Sequence, residues 1–113
     1  MLVAKGCPRL ETLYMSDVEA MDDMVLTEFT CRCTGLREVY LRGCSGVTDS
    51  GVGRLQGLTS VALCFNDRVT DASIESMLDR CEGLEYVEVV GCPEVTKRCL
   101  TELRERVGRV DAF

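Results

Sequence analysis

Cysteine is the residue type with the widest chemical scope in this chain, which has eight cysteines and no histidine. Cys31 and Cys33 form a closely spaced pair, and cysteine thiolates can bind zinc. A structural zinc site needs four ligands, however, and the sequence contains no second closely spaced pair. The lack of histidine also removes the commonest general base and most arrangements that activate a nucleophile. We therefore predict no metal, no cofactor and no enzymatic activity.

The acidic residues offer a second kind of chemistry. Glu19, Asp22 and Asp23 lie close together in the sequence and could hold a cation, but we interpret them as a solvated corner near a helix start. Asp49 and Asp71 each follow a threonine, and an acid near a helix N-terminus is stabilised by the helix dipole. We interpret both as helix-start residues rather than catalytic carboxylates. The glycines match neither GxxxxGK nor GxGxxG, so no phosphate-binding loop is predicted.

The positions of most cysteines follow an internal repeat. Apolar anchor residues recur at intervals of 26, 22, 26 and 26 residues; they are Leu10, Leu36, Leu58, Leu84 and Val110. Three cysteines lie three residues before an anchor and two lie eight residues after one; these are Cys7, Cys33 and Cys81, then Cys44 and Cys92. Cysteines stacked about 5 Å apart along a sheet would form a ladder rather than a tetrahedron. We predict that they are small buried residues, and that Asn66 replaces cysteine at one turn and satisfies backbone groups there.

Each repeat is predicted to contain a strand, a corner and a helix. Apolar residues three and five positions after the anchor alternate as in a half-buried strand; they are Leu13 and Met15, Val39 and Leu41, Val61 and Leu63, Val87 and Val89. Thr48, Thr70 and Thr96 suit helix starts, because a threonine hydroxyl can cap unpaired N–H groups. The helical half of the second repeat is four residues shorter and rich in glycine, so it should form only about one turn.

Charge and composition narrow the class of partner. The 113 residues carry a net charge of −6, which argues against nucleic acid or an anionic membrane surface as the main partner. No apolar run approaches the roughly 18 residues that span a bilayer. The eight cysteines could indicate a secreted disulfide scaffold, but the ample aliphatic content favours an intracellular protein in a reducing compartment. Cytoplasm or nucleus is expected, with an organelle as the alternative.

These residues resemble the leucine-rich repeats of the cysteine-containing subclass, known from F-box proteins and their relatives. The matching pattern is C-x-x-L-x-x-V-x-L-x-x-C-x-x-V-T-D, and Leu36–Leu58 and Leu84–Leu103 follow it best. The resemblance covers nearly the whole chain. It implies an α/β right-handed solenoid with a parallel sheet on the concave face and helices on the convex face. The expected repeats are approximately 10–35, 36–57, 58–83 and 84–109, in a single domain over 1–113 with partial repeats at both ends.

In such a fold, residues two, four and six positions after each anchor would point into the concavity. The candidate contact residues are Tyr14, Glu38, Tyr40, Arg42, Cys64, Tyr86 and Glu88. Tyrosine and arginine are favoured at protein interfaces, although strand tyrosines can also simply cover a sheet. Cys64 is expected to be exposed there and to be the most reactive thiol. Phe65, at the exit of the strand, is also expected to be exposed.

The resemblance implies a non-catalytic module that binds a protein partner. In the F-box relatives, such repeats capture substrates for a cullin-type (SCF) ubiquitin ligase, although no F-box is visible here. The alternative is a structural or assembly subunit of a large complex, in an organelle or elsewhere in the cell. The opening residues Met1–Gly6 resemble the end of a helix, and the last four resemble the start of a strand. We therefore expect further repeats or neighbouring subunits to cover both ends.

Overall fold

The computed structural model describes residues 9–112, and in this range a parallel sheet is covered on one face by helices. The elements, in chain order, are β1 (Thr12–Ser16), α1 (Asp23–Arg32), β2 (Glu38–Arg42), α2 (Asp49–Val52), β3 (Ser60–Cys64), α3 (Asp71–Arg80), β4 (Tyr86–Glu88), α4 (Lys97–Arg106) and β5 (Arg109–Asp111). The five strands lie side by side in that order, and every neighbouring pair is parallel. The predicted α/β class with a parallel sheet is confirmed. Cys7 and the predicted helix end at 1–6 lie outside the described residues.

The register of the sheet agrees with the sequence repeat in four of the five strands. Leu13 lies opposite Val39, Val39 opposite Val61, and Val61 opposite Val87. The assignment of Val110 as the fifth anchor is wrong, because Val110 lies opposite Val87 and so occupies the third position after an anchor. The residue equivalent to Leu84 is Val107, which is buried. The connection from α4 to β5 is therefore shorter than the sequence comparison indicated.

The core lies between the sheet and the helices. Strand residues at alternate positions meet apolar helix residues; the fully buried members include Val39, Leu41, Val61, Leu63, Val87, Leu26, Val52, Ile74, Met77 and Leu103. This alternation is what a strand with one covered face requires. Met15, on the first strand, is only partly buried and packs against the edge of the core.

Three helices begin at the threonines that were predicted to cap them. The side chains of Thr48, Thr70 and Thr96 accept hydrogen bonds from backbone N–H groups in the first turns of α2, α3 and α4. Asp22 takes the same place before α1, accepting from the N–H of Val25 at 3.0 Å. The helix α2 has four residues, whereas the others have ten, so the expected single turn is confirmed.

An aspartate ladder joins successive helix starts, and the sequence patterns did not indicate it. Asp49 accepts hydrogen bonds from the backbone N–H (2.9 Å) and hydroxyl (2.6 Å) of Thr70. Asp71 accepts the same pair from Thr96 (2.8 and 2.7 Å), and Asp23 accepts both from Thr48. Each aspartate in a first helical turn therefore anchors the threonine that caps the next helix. These aspartates link adjacent units as well as favouring the helix dipole.

The corners after the strands use polar or sulfur side chains to satisfy the backbone. Asn66 accepts from the N–H of Cys44 at 2.9 Å and donates to the carbonyl of Leu41 at 3.0 Å. In the equivalent place, the thiol of Cys92 donates to the carbonyl of Leu63. The predicted role of this column as a buried, backbone-satisfying position is thereby confirmed for these residues.

Candidate partner-binding face

The sheet face opposite the helices is not covered by any described element, and we call it the open face. It carries the alternate side chains of all five strands: Thr12, Tyr14, Ser16, Glu38, Tyr40, Arg42, Ser60, Ala62, Cys64, Tyr86, Glu88, Arg109 and Asp111. All seven predicted contact residues belong to this set. Their use in binding stays a prediction, whereas their common location is a fact of the fold.

A depression of about 320 Å³ lies in the middle of the open face. Six of the predicted contact residues line it together with Leu41 and Ala62; the six are Tyr14, Tyr40, Arg42, Cys64, Tyr86 and Glu88. Ala62 lies between Tyr40 and Glu88 in the sheet register, and its side chain is the smallest in that row. Because its neighbours are much taller, Ala62 is only 7% exposed and forms the floor.

Cys64 is also buried, so its predicted exposure is wrong. The side chain points to the open face, but only 5% of the residue is exposed, because Arg42 and the side chains of β4 surround it. Its thiol donates to Glu88 Oε2 at 2.9 Å. Burial, together with the Glu88 carboxylate, raises the pKa of the Cys64 thiol to about 12 and disfavours the thiolate. The exposed cysteine in the described range is Cys31, on α1.

Two glutamates on the open face are held in place by neutral donors. Glu38 accepts from the hydroxyl of Thr12 at 2.8 Å and from that of Tyr40 at 3.0 Å, one bond to each carboxylate oxygen. Glu88 accepts from the hydroxyl of Tyr86 at 3.0 Å and from the thiol of Cys64. Within residues 9–112, neither glutamate forms an ion pair. Both carboxylates are thus oriented by the sheet itself.

The three tyrosines give the face its aromatic character. Tyr14 is 67% exposed, and its ring centroid lies 6.1 Å from that of Tyr40. Burial, reinforced by the carboxylate of Glu38, raises the pKa of the Tyr40 phenol above its ordinary value. Burial and the hydrogen bonds to Asp111 and Glu88 raise the pKa of Tyr86 in the same way. The phenols of Tyr40 and Tyr86 therefore act as hydrogen-bond donors to carboxylates over the physiological pH range.

Two further charged residues belong to this face and were missed by the sequence analysis. Asp111 and Glu88 share the single hydroxyl proton of Tyr86, each with an oxygen 3.0 Å from the phenol oxygen, and the guanidinium of Arg109 lies 5.3 Å from the centre of the Tyr86 ring. They were missed because Val110 was placed at the wrong position of the repeat. With Val107 as the anchor, Arg109 and Asp111 fall two and four residues after it, which are open-face positions.

At the exit of β3, Phe65 is 46% exposed, as predicted, and its backbone is unusual. Its φ of 57° lies in the left-handed region, where glycine is favoured and a bulky side chain is strained. Gly43 and Gly91 occupy the equivalent corners with φ of 62° and 74°. The guanidinium of Arg42 lies 4.6 Å from the centre of the Phe65 ring. A large aromatic side chain is therefore held beside Arg42 at the exit of β3, despite a backbone that favours glycine.

No three of the cysteine, aspartate and glutamate side chains in residues 9–112 come together in a set that could hold a metal ion. Glu19, Asp22 and Asp23 do not converge, since Asp22 caps α1 and Asp23 bonds Thr48. No helix among residues 9–112 has the length and apolar character needed to cross a membrane.

The comparisons with known proteins bear on the fold. No family model matches this chain. Among solved structures, one chain in the crystal structure of the Rad7 and Elc1 complex in yeast is similar, with 22% sequence identity and a TM-score of 0.69. The match covers 79% of the present chain but 23% of that chain, so the present chain corresponds to less than a quarter of its length. At this level of identity, the similarity shows a shared fold and nothing more.

Proposed function

We propose that this chain is a non-catalytic protein-interaction module that binds a protein partner through the open face. The observation that carries the proposal is the depression over Ala62. Its lining residues come from four strands and include three tyrosine rings and the charged side chains of Arg42 and Glu88. Such a combination is typical of protein interfaces, where tyrosine and arginine contribute much of the binding energy. The predicted contact residues are Tyr14, Glu38, Tyr40, Arg42, Cys64, Tyr86 and Glu88, to which Arg109 and Asp111 are added.

The architecture that we propose is a right-handed solenoid of cysteine-containing leucine-rich repeats. Three observations support it: strands pair in chain order, homologous positions of neighbouring strands are separated by 22 to 26 residues, and helix starts are joined by the aspartate ladder. Each unit of a solenoid contacts only its neighbours, which is the pattern seen among the described elements. In that architecture the open face is the concave one.

The specific role that we propose is substrate recognition for a cullin-type ubiquitin ligase, in a reducing intracellular compartment. Two findings support it: the resemblance of the repeats to those of F-box relatives, and the similarity in fold to one chain of a complex between two proteins, Rad7 and Elc1. Thiols that donate to core carbonyls, such as those of Cys44 and Cys81, are consistent with reducing conditions.

Affinity purification of the full-length protein from its own cells tests the proposal. Wild type should recover a cullin and its adaptor, and the double substitution Tyr40→Ala/Tyr86→Ala should lose the captured substrate while keeping a similar melting temperature. The matched control, Glu75→Ala/Asp79→Ala, removes two exposed side chains on the helix side and should retain all partners. Retention of every partner by the tyrosine variant would exclude the open face. Recovery of a stable assembly without a cullin would favour the alternative role as a structural subunit.

A further inference from the structure

We propose that the open face recognises a cationic segment of its partner. One lysine or arginine side chain would lie over Ala62 against Tyr40 and Glu88, and a second would reach Glu38. This inference rests on the proposed function and adds the chemistry of the partner. It assigns a basic peptide segment, rather than an acidic or neutral one, to a protein whose own net charge is −6.

The first argument is that two oriented carboxylates have no cationic partner among residues 9–112. Glu38 and Glu88 each use both oxygens to accept bonds from hydroxyl or thiol groups, and these donors are neutral. A carboxylate oxygen has two lone pairs, so each retains capacity for a further donor. A charged donor makes shorter and stronger bonds to a carboxylate than a neutral donor does. Because both carboxylates are already ordered in the free protein, binding a cation costs less side-chain entropy than it would with a flexible glutamate.

The second argument is the shape and lining of the depression. The floor at Ala62 is flanked by Tyr40 within the same row and by Tyr86 diagonally, and both tyrosines line the space above it. An aliphatic stem of lysine or arginine can cover such surfaces while its charged end reaches a carboxylate. Aromatic rings also attract cations directly, and the guanidinium of Arg109 already lies over Tyr86 at 5.3 Å. The volume of about 320 Å³ is sufficient for one such side chain with its solvent.

The third argument concerns the arginine in the lining. Arg42 would favour an anion if its charge were directed into the depression. Although Arg42 lines the depression, its guanidinium lies over the ring of Phe65, 4.6 Å from the centroid, and Phe65 is not a lining residue. The residues nearest the floor are the carboxylate of Glu88 and the phenol of Tyr40, beside which Glu38 lies. The described open face therefore carries three acidic and two basic side chains, and the guanidinium of each of the two arginines lies over an aromatic ring.

The test uses the full-length protein, labelled with ¹⁵N, and four synthetic twelve-residue peptides. The peptides share one sequence except at three alternate positions, which are all arginine, all lysine, all glutamine or all glutamate. We expect the arginine and lysine peptides to shift the amide signals of Ala62, Cys64 and Glu88 saturably, with affinities at least tenfold higher than those of the other two. The interaction should weaken with added salt, because exposed charges are screened.

Matched variants separate this site from general attraction to an acidic protein. Glu88→Gln keeps one acceptor oxygen for Tyr86 or Cys64, and should lower the affinity for the arginine peptide at least fivefold. Glu38→Gln should lower that affinity by a smaller factor. Glu75→Gln removes the same charge from an exposed position of α3 and should leave the affinity unchanged. Equal binding by Glu88→Gln and wild type, equal binding of basic and acidic peptides, or no binding of basic peptides would each overturn the cationic assignment. The proposed function fails separately, through retention of cellular partners by Tyr40→Ala/Tyr86→Ala.

Discussion

Asp49 is the central member of the aspartate ladder, and its replacement is expected to destabilise the protein more than any exposed charge change. Its carboxylate accepts from the N–H and hydroxyl of Thr70 and from the hydroxyl of Ser73, which is fully buried. A hydrogen bond to a charged group contributes about 1.5–3 kcal/mol when buried, and less when water reaches it. Because Asp49 is partly exposed, we expect Asp49→Ala to cost about 3 kcal/mol for the three bonds together. This corresponds to a fall in Tm of roughly 12 °C for a chain of this length.

The pH dependence of the same variant identifies the charge as the cause. Burial alone would raise the pKa of Asp49, but the hydrogen bonds from Ser73 and Thr70 outweigh it and hold the pKa below its ordinary value of 3.8. A lowered pKa means that the ionised form stabilises the fold above pH 3.8, and that this stabilisation is lost as the pH falls through the folded-state pKa. The isosteric change Asp49→Asn should therefore cost about 1–2 kcal/mol at pH 7 and progressively less below pH 4.

Urea unfolding followed by circular dichroism at pH 7 and at several values between 5 and 3 measures both effects. Asp79→Ala is the matched control, since Asp79 is an exposed residue of α3 that forms no hydrogen bond or ion pair within the described range. It should change the free energy of unfolding by less than about 0.5 kcal/mol. The reasoning is refuted if Asp49→Ala costs less than 1 kcal/mol, or if the deficit of Asp49→Asn is the same at pH 7 and pH 3.

Two further predictions concern the cysteines and the strained corner. In the native protein at pH 8, an alkylating reagent should modify Cys31 at least tenfold faster than Cys64, because Cys64 is buried and its pKa is raised to about 12. Mass spectrometry of timed samples measures both modification rates. Equal rates would contradict the burial of Cys64. Replacing Phe65 by asparagine should relieve left-handed strain of about 1–2 kcal/mol and lose a cation–π contact of about 0.5–1 kcal/mol, so stability should stay level or rise. Thermal melting checks this, and a loss of more than about 1.5 kcal/mol would show that the ring is packed as a core residue.

The sequence predicted the fold well because the repeat spacing contains the sheet register. Leu13, Val39, Val61 and Val87 were aligned by counting from anchors, and the same residues lie opposite one another in the sheet. Val110 was mistaken for an anchor residue for a physical reason. Val107 and Val110 are both apolar and three residues apart, which is also the spacing between an anchor and the first buried strand residue.

The candidate site was predicted less completely than the fold, because exposure depends on neighbours that are distant in sequence. Alternation placed Cys64 on the open face correctly, but the tall side chains of the adjoining strands bury it. The aspartate ladder was invisible for the same reason, since Asp49 and Thr70 are brought together only when α2 and α3 lie side by side. Residue type and period predict which face a side chain occupies, whereas its partners follow from packing.

The uniform spacing of the strand pairs has a consequence for the route by which this chain folds. Joining β2 to β3 closes a loop of 22 residues, and joining β3 to β4 closes one of 26. The entropic free-energy costs of closing these two loops differ by only about 0.15 kcal/mol. Loop length therefore favours neither strand pair, and local stability decides where the folding nucleus forms. The helix α3 buries four side chains against the sheet, whereas α2 has only one turn. We expect the transition state to be structured around β3, α3 and β4, with the second unit, and the first unit through it, joining on the downhill side of the barrier.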